Sequence, residues 1–81
     1  MARYFFDVQD GEDFIRDEEG LACPSREEVR LAAIAALPTM ARDALPDSDR
    51  HEISVHVRDQ KDRPVFRASL LLRAEWLDES S

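Results

Sequence analysis

Residues 25–45 have the sequence SREEVRLAAIAALPTMARDAL, whose apolar spacing predicts an α-helix. Ser25 and Glu28 match a capping box, in which the serine hydroxyl accepts a hydrogen bond from the Glu28 N–H group. The predicted core-facing stripe consists of Val29, Ala32, Ala33, Ala36, Leu37, Met40 and Ala44. We therefore expect one helix, placed between two strand–turn–strand segments.

Pro38 is the anomaly of this helix. Inside a helix, proline removes one backbone hydrogen bond and clashes with a carbonyl one turn earlier, at a cost of about 3 kcal/mol. Either the helix kinks at Pro38 or two shorter helices meet at Leu37, and the kink is favoured because the apolar stripe continues beyond the proline. Three large apolar residues fall on the flank or back of the helix: Leu31, Ile34 and Leu45.

The segment before the helix predicts a β-hairpin. Two apolar runs, residues 3–8 and 13–17, flank Asp10-Gly11, a dipeptide that favours a two-residue type I′ turn. That turn places Phe6 opposite Ile15. One face then carries Tyr4, Phe6, Val8 and Ile15 and is the predicted core face, while the other carries Phe5, Asp7, Phe14 and Arg16.

Two strands are predicted after the helix. Residues 51–59 alternate between apolar and polar side chains, and residues 65–76 follow a polar turn. The inward side of the last strand is predicted to carry Phe66, Ala68, Leu70, Leu72 and Trp76. The fold class is α+β, a ββαββ two-layer sandwich with a four-stranded, mostly antiparallel sheet and one helix on one face. Residues 1–77 form the predicted domain and residues 78–81 a frayed tail; the strand order stays open.

Composition narrows the class of protein. The formal net charge of −7 argues against attraction to nucleic acid or to anionic lipid. The chain contains no apolar run long enough to span a membrane. Its single cysteine, Cys23, lies in a predicted loop and cannot form an internal disulfide, which predicts a reduced thiol and a cytoplasmic location.

The sequence contains no recognisable catalytic motif. Its two glycines, Gly11 and Gly20, are too few for a phosphate-binding loop. His51 and His56 are an odd number of residues apart, so in one strand they point to opposite faces and cannot share a metal. The acidic tip of the first hairpin lacks the ligand spacing of a calcium loop. We therefore predict no catalytic, cofactor-binding or metal-binding residue, and no enzymatic activity.

The predicted outer face of the sheet combines arginines with aromatic side chains. Such a surface suits protein contact, and exposed aromatics beside arginines can also stack on bases. Protein contact is favoured because the chain is acidic, and an ordinary salt-bridged sheet surface stays open as well. The candidate interface consists of Phe5, Phe14, Leu31, Ile34, Leu45, Arg67, Leu71 and Arg73.

Several segments resemble a family of short uncharacterised bacterial proteins, known as a domain of unknown function. The segments are RYFFDV (3–8), DG (10–11), DEEG (17–20), MARDALP (40–46) and VRD (57–59) before Pro64-Val65. The resemblance covers nearly the whole chain and implies no activity and no site residues. A weaker resemblance is to the HicB-type antitoxin domain, in which a strand, an acidic turn with glycine and a capped alanine-rich helix follow in the same order.

The leftover apolar surface predicts a non-enzymatic interaction or adaptor module, which self-associates as a homodimer or binds another protein. The alternative is an antitoxin-like or regulatory protein that covers a toxin or a nucleic-acid partner with its sheet face. No cofactor and no membrane contact are predicted, and nucleic acid is the disfavoured partner.

Overall fold

The computed structural model describes residues 2–44 and 49–78, which form one helix packed against an antiparallel sheet of five strands. In chain order the elements are β1 (Ala2–Asp10), β2 (Asp13–Ile15), β3 (Leu21–Cys23), α1 (Arg26–Ala44), β4 (Arg50–Arg58) and β5 (Pro64–Arg73). The α+β class is confirmed. The count of four strands is wrong, because the sheet has five. β2 corresponds to the second predicted strand, and β3 is an additional strand in the segment predicted to be a loop before the helix. Leu45 of the candidate interface lies outside the described residues.

The strands are arranged in the order β2-β1-β4-β5, and β3 also pairs with β1. β2 pairs with residues 8–10 of β1, whereas β3 pairs with residues 2–4, so the connecting segment 16–20 lies beside the middle of β1. β4 lies next to β1 along residues 5–10, which answers the question of strand order.

Helix α1 begins as the sequence predicts, since the Glu28 N–H donates to the Ser25 hydroxyl at 3.2 Å. It continues through Pro38, so the two-helix alternative is wrong. The helix packs mainly over β4 and β5. The buried core consists of Cys23, Val29, Ala33, Leu37, Ile53, Val55 and Val57.

The first turn differs from the predicted one. Asp10 pairs with Asp13, so the central residues are Gly11 and Glu12, and the positive φ of 60° falls on Gly11. Glycine with positive φ at the first central position is typical of a type II′ turn. The register moves by two residues, so every side chain keeps its predicted face. Ile15 is nevertheless 62% exposed, because the helix does not extend over β2.

Two further expectations are wrong, one about the burial of Trp76 and one about the secondary structure at Cys23. β5 ends at Arg73, the residue paired with the first residue of β4, and the predicted inward residue Trp76 is 79% exposed beyond that end. Cys23 lies in a strand rather than in a loop, and its thiol is free and buried. The chain thus leaves its tryptophan outside the core while it encloses its cysteine.

Candidate functional site

The outer face, which we define as the sheet face away from α1, has an ion pair at its centre. Asp7 on β1 and Arg58 on β4 are joined by a hydrogen bond of 2.9 Å from Arg58 Nε to Asp7 Oδ2. The guanidinium of Arg58 also lies 4.6 Å from the centroid of the Phe5 ring. The Asp7 and Arg58 side chains are 8% and 13% exposed, so this pair is largely removed from water.

Asp17 attaches segment 16–20 to β1. Its carboxylate accepts a hydrogen bond from the Phe6 N–H at 3.0 Å and from the N–H groups of Glu19 and Gly20 at 3.1 Å each. A short aspartate side chain readily accepts from the backbone of the next few residues, which gives a compact turn. The same side chain therefore shapes the turn and fixes it to the neighbouring strand.

The backbone of Asp17 joins the ion pair. Its N–H donates to Asp7 Oδ1 at 2.8 Å, and Arg58 Nη2 donates to its carbonyl at 2.7 Å. Arg58 Nη1 donates to Asp62 at 2.9 Å, and Arg16 reaches the same carboxylate at 3.3 Å. We call these five residues the outer-face network. It connects segment 16–20, both central strands and the turn between β4 and β5.

The network changes the acidity of two of its members. Burial raises the pKa of Asp17, but the three backbone N–H donors and the nearby Arg58 charge outweigh it, so this pKa lies below its ordinary value of 3.8. The hydrogen bond to Asp7 is the main cause that raises the pKa of Arg58, against the opposing effect of burial. Both groups are therefore held in their charged forms.

The lowered pKa of Asp17 predicts a loss of stability in acid. A carboxyl group whose pKa is lower in the folded chain than in the unfolded chain stabilises the fold above about pH 4, and this contribution is lost as the pH falls through the folded pKa. We expect Asp17→Asn to be less stable than the wild type at pH 7 and to lose less stability between pH 5 and pH 2. Urea titrations across this pH range measure the free energy of unfolding of both proteins as a function of pH. If the two proteins lose stability in parallel as the pH falls, the assignment is contradicted.

Gly20 lets segment 16–20 approach β1 closely. Its φ is +75°, in the left-handed region that side chains with a Cβ avoid. A Cβ atom on Gly20 would lie 2.9 Å from Arg3 Cγ, from Phe5 Cε1 and from the Tyr4 carbonyl oxygen. The last of these atoms belongs to the backbone, so the strand itself would have to move.

We expect Gly20→Ala to destabilise the fold by more than the ~1–2 kcal/mol of left-handed backbone strain, because steric overlap adds to that strain. Gly11→Ala is the matched control, since its φ is +60° but the nearest atom to an added Cβ, His51 Cε1, lies at an ordinary 3.5 Å. Chemical denaturation should therefore show the larger loss at Gly20. If the two variants lose the same free energy of unfolding, the contact between Gly20 and β1 does not restrict the side chain at this position.

The candidate interface residues do not form one patch. Phe5 is half-buried beneath Arg58, whereas Phe14 on β2 is 54% exposed. Phe14 lies three strand spacings from Leu71 on β5, a separation of about 14 Å. Arg67 and Arg73 are exposed on the same side of β5 as Leu71. On the outer face, the candidate residues that lie together are therefore those of β5, and Phe5 and Phe14 are separate from them.

An apolar surface follows the last strand. In the described part of the chain, β5 has a neighbour, β4, on one side only. Leu70 and Leu71 are 42% and 46% exposed, and Trp76 and Leu77 beyond the strand are 79% and 92% exposed. We call residues 65–77 the β5 edge. A groove of about 150 Å³ beside it is lined by Ala41, His51, Ile53, Leu70, Leu71 and Leu72.

A second apolar surface lies on α1. Leu31 and Ile34 are 49% and 41% exposed, and Ala35 and Pro38, also exposed, lie on the same side at helical spacing. We call these four residues the helix ridge. Leu31 and Ile34 thus lie off the core stripe, where the sequence places them.

The histidines lie on opposite faces. His51 Nε2 lies 2.5 Å from Asp10 Oδ1 on the helix side, and His56 Nε2 lies 3.0 Å from the Ser54 hydroxyl on the outer face. Asp7, which is paired across the strands with His56, has both carboxylate oxygens bonded within the outer-face network. Over residues 2–44 and 49–78, no three His, Cys, Asp or Glu residues are grouped to hold a metal. No helix in these ranges is both long and apolar enough to cross a membrane.

The fold and the network define a class of protein: a small α+β domain in which an acidic turn is fixed to the outer face of an open antiparallel sheet. The chain belongs to the family described as Domain of unknown function (DUF6894), which matches residues 3–71. No curated protein matches the chain, and no solved structure does. Membership of an uncharacterised family is therefore confirmed, and the weaker likeness to HicB-type antitoxin domains stays a prediction.

Sequence reasoning missed the outer-face network, although three of its five residues occur in the segments that carry the family resemblance. Asp7 lies in RYFFDV, Asp17 begins DEEG, and Arg58 is central to VRD. The strand alternation places Asp7 and Arg58 on the same face with opposite charges. These opposite charges could have predicted an ion pair between the two strands. The prediction was not made because the sequence alone did not show that β1 and β4 are neighbours.

Proposed function

We propose that this protein is a non-enzymatic interaction module that self-associates. The observation that carries the proposal is the β5 edge, where apolar side chains accompany unpaired backbone groups along a ten-residue strand. Exposed apolar edge strands are sites of association in soluble proteins, and natural sheets usually protect them with charges or a covering element. A small domain with limited core gains stability when a partner covers such a surface.

The polar groups of the outer face support binding over catalysis. Arg58, Asp7 and Asp17 are engaged with one another and with the backbone, so they hold the fold rather than await a substrate. The Ser54 hydroxyl lies near His56, but the carboxylate that a nucleophilic triad would need at the other ring nitrogen is Asp7, already bonded to Arg58. We propose a cytoplasmic location as well, in keeping with the buried free thiol of Cys23.

Light scattering over a range of protein concentrations tests self-association. We expect the mass to rise from the monomer value of 9.3 kDa toward twice that value as the concentration enters the micromolar range. A mass that stays at 9.3 kDa up to millimolar concentration would refute self-association.

An antitoxin-like or regulatory function is the second candidate. It is favoured by Arg67 and Arg73, which are exposed on the outer face on either side of Leu71. If these arginines contact phosphates, RNA binding at low salt should weaken as salt increases, and the Arg67→Ala/Arg73→Ala variant should lose it. An absence of RNA binding at low salt would remove the nucleic-acid form of this function.

A further inference from the structure

β5 presents backbone hydrogen-bonding groups at its free edge. The Ala74 N–H donates to the Asp49 carbonyl at 2.7 Å, which continues the register in which Arg50 faces Arg73. In an antiparallel ladder, successive residues direct their N–H and C=O groups alternately toward one side and the other. The even-numbered residues of this part of β5 therefore face β4. The odd-numbered residues, Leu71 among them, face the free edge.

We propose that a second copy of this chain binds at this edge, with the two β5 strands antiparallel about a twofold axis at Leu71. The inference rests on the proposed function, since it names the surface through which the module self-associates. Leu71 then faces Leu71 of the second copy, and the two residues exchange both of their backbone hydrogen bonds. The two sheets join into one continuous sheet, and the free edge of β5 is paired in both copies.

Charge complementarity supports this register. Arg67 faces Glu75 of the second copy, and the twofold axis repeats the pair, so two oppositely charged contacts form across the outer face. Arg73 faces Ser69, which carries no charge. The chain as a whole has a net charge of −7, but residues 64–77 contain two arginines and one glutamate, so the approaching edges do not repel each other as acidic surfaces.

The same register pairs two exposed apolar residues, Leu70 and Trp76, with half-buried ones. On the helix side, Leu70 faces Leu72, and Trp76 faces Phe66 of the second copy. Residues 74–76 have an alternating pattern that predicts strand, yet the strand ends at Arg73 because β4 extends no further. The second copy supplies the missing neighbour, so β5 can continue to the tryptophan.

The neighbouring symmetric registers are less favourable. An axis at Ser69 places Arg67 opposite Leu71 and leaves Trp76 without a facing side chain. An axis at Arg73 places two arginines directly opposite each other, and like charges in that position destabilise strand pairing. Even-numbered centres also bring edge-facing residues together, with the axis at a non-hydrogen-bonded pair, but an axis at Leu70 places Arg67 opposite Arg73 and an axis at Leu72 places Glu75 opposite Ser69. The axis at Leu71 is therefore the register that combines hydrogen bonding with complementary charges.

Charge reversal tests the proposal. Arg67→Glu creates two Glu–Glu contacts in the dimer, and Glu75→Arg creates two Arg–Arg contacts. The dimer dissociation constant of each variant alone should therefore be at least about 10-fold higher than that of the wild type. In an equimolar mixture every cross-strand contact is again Glu–Arg, and mixed dimers should form with nearly wild-type affinity. Sedimentation equilibrium at low salt measures all three samples. Recovery on mixing also shows that both variants are folded.

Leu31→Glu on the helix ridge is the matched control and should leave the dimer unchanged. If the charge variants dimerise like the wild type while Leu31→Glu is monomeric, the β5 register is refuted and self-association stands through the helix ridge. Failure of the mixture to recover would also refute the register. If the wild type is monomeric at every concentration, both the register and the proposed function fail.

Discussion

Replacing Arg58 by methionine should lower the melting temperature by ~10 °C or more, because it leaves the buried Asp7 carboxylate without its cationic partner. Methionine keeps much of the length of the side chain and its contact with Phe5, so the effect isolates the charge and the hydrogen bonds. The Asp17 carbonyl also loses its donor, and segment 16–20 should loosen. Thermal unfolding followed by circular dichroism measures the change.

Two controls separate the buried pair from charge in general. Arg16→Met removes an ion pair to Asp62 whose side chains are 51% and 65% exposed, and it should shift the melting temperature by about 2 °C or less. The double variant Asp7→Leu/Arg58→Met should be more stable than Arg58→Met alone, because no uncompensated charge is left buried. A loss at Arg58 no larger than that at Arg16 would show that the network is solvated.

Trp76 should report self-association through its fluorescence. It is the only tryptophan of the chain and is 79% exposed, so at low concentration its emission should resemble that of an indole in water. Where the dimer forms, Trp76 packs against Phe66 of the second copy and the emission should shift to shorter wavelength. A dilution series monitored by emission wavelength gives the midpoint of association.

The shift in Trp76 emission should depend on the fraction of dimer and not on the protein concentration itself. Arg67→Glu, which weakens the proposed pairing, should move the midpoint to higher concentration, whereas Leu31→Glu should leave it in place. An emission wavelength that stays constant while the mass doubles would place Trp76 outside the interface and exclude the proposed continuation of β5.

Local patterns predicted the helix and the faces of the strands. Ser25 and Glu28 determine where α1 begins through a hydrogen bond between near neighbours, and such short-range effects are readable in sequence. Alternation assigned Tyr4, Phe6 and Val8 to the core face, against which they pack. The assignment holds in spite of the changed turn, because a shift of register by two residues does not change which face a side chain occupies. The predicted turn position was wrong, because glycine suits either central position of a two-residue turn, and Asp10-Gly11 and Gly11-Glu12 both contain one.

Long-range pairing determined what the sequence left open. The bond between Asp7 and Arg58 requires β1 and β4 to be neighbours, and 51 residues separate the two side chains in sequence. The exposure of Trp76 has a related cause, because its strand pattern was sound but β4 is too short to accompany it. Sequence patterns give the preference of each residue for a face, and the tertiary fold decides whether a neighbour is present to cover it.

Disulfide cross-linking of Leu71→Cys tests the central claim most directly. Opposed residues in a hydrogen-bonded antiparallel pair have Cα atoms about 5.5 Å apart, a distance that a disulfide spans. Ser69→Cys is the control, since with the axis at Leu71 its two copies lie four residues apart along the strands, roughly 14 Å. The native Cys23 is buried and stays in both variants. We predict a covalent dimer from Leu71→Cys and none from Ser69→Cys under mild oxidation, whereas cross-linking at Ser69 alone, or at neither position, would contradict the paired β5 edges.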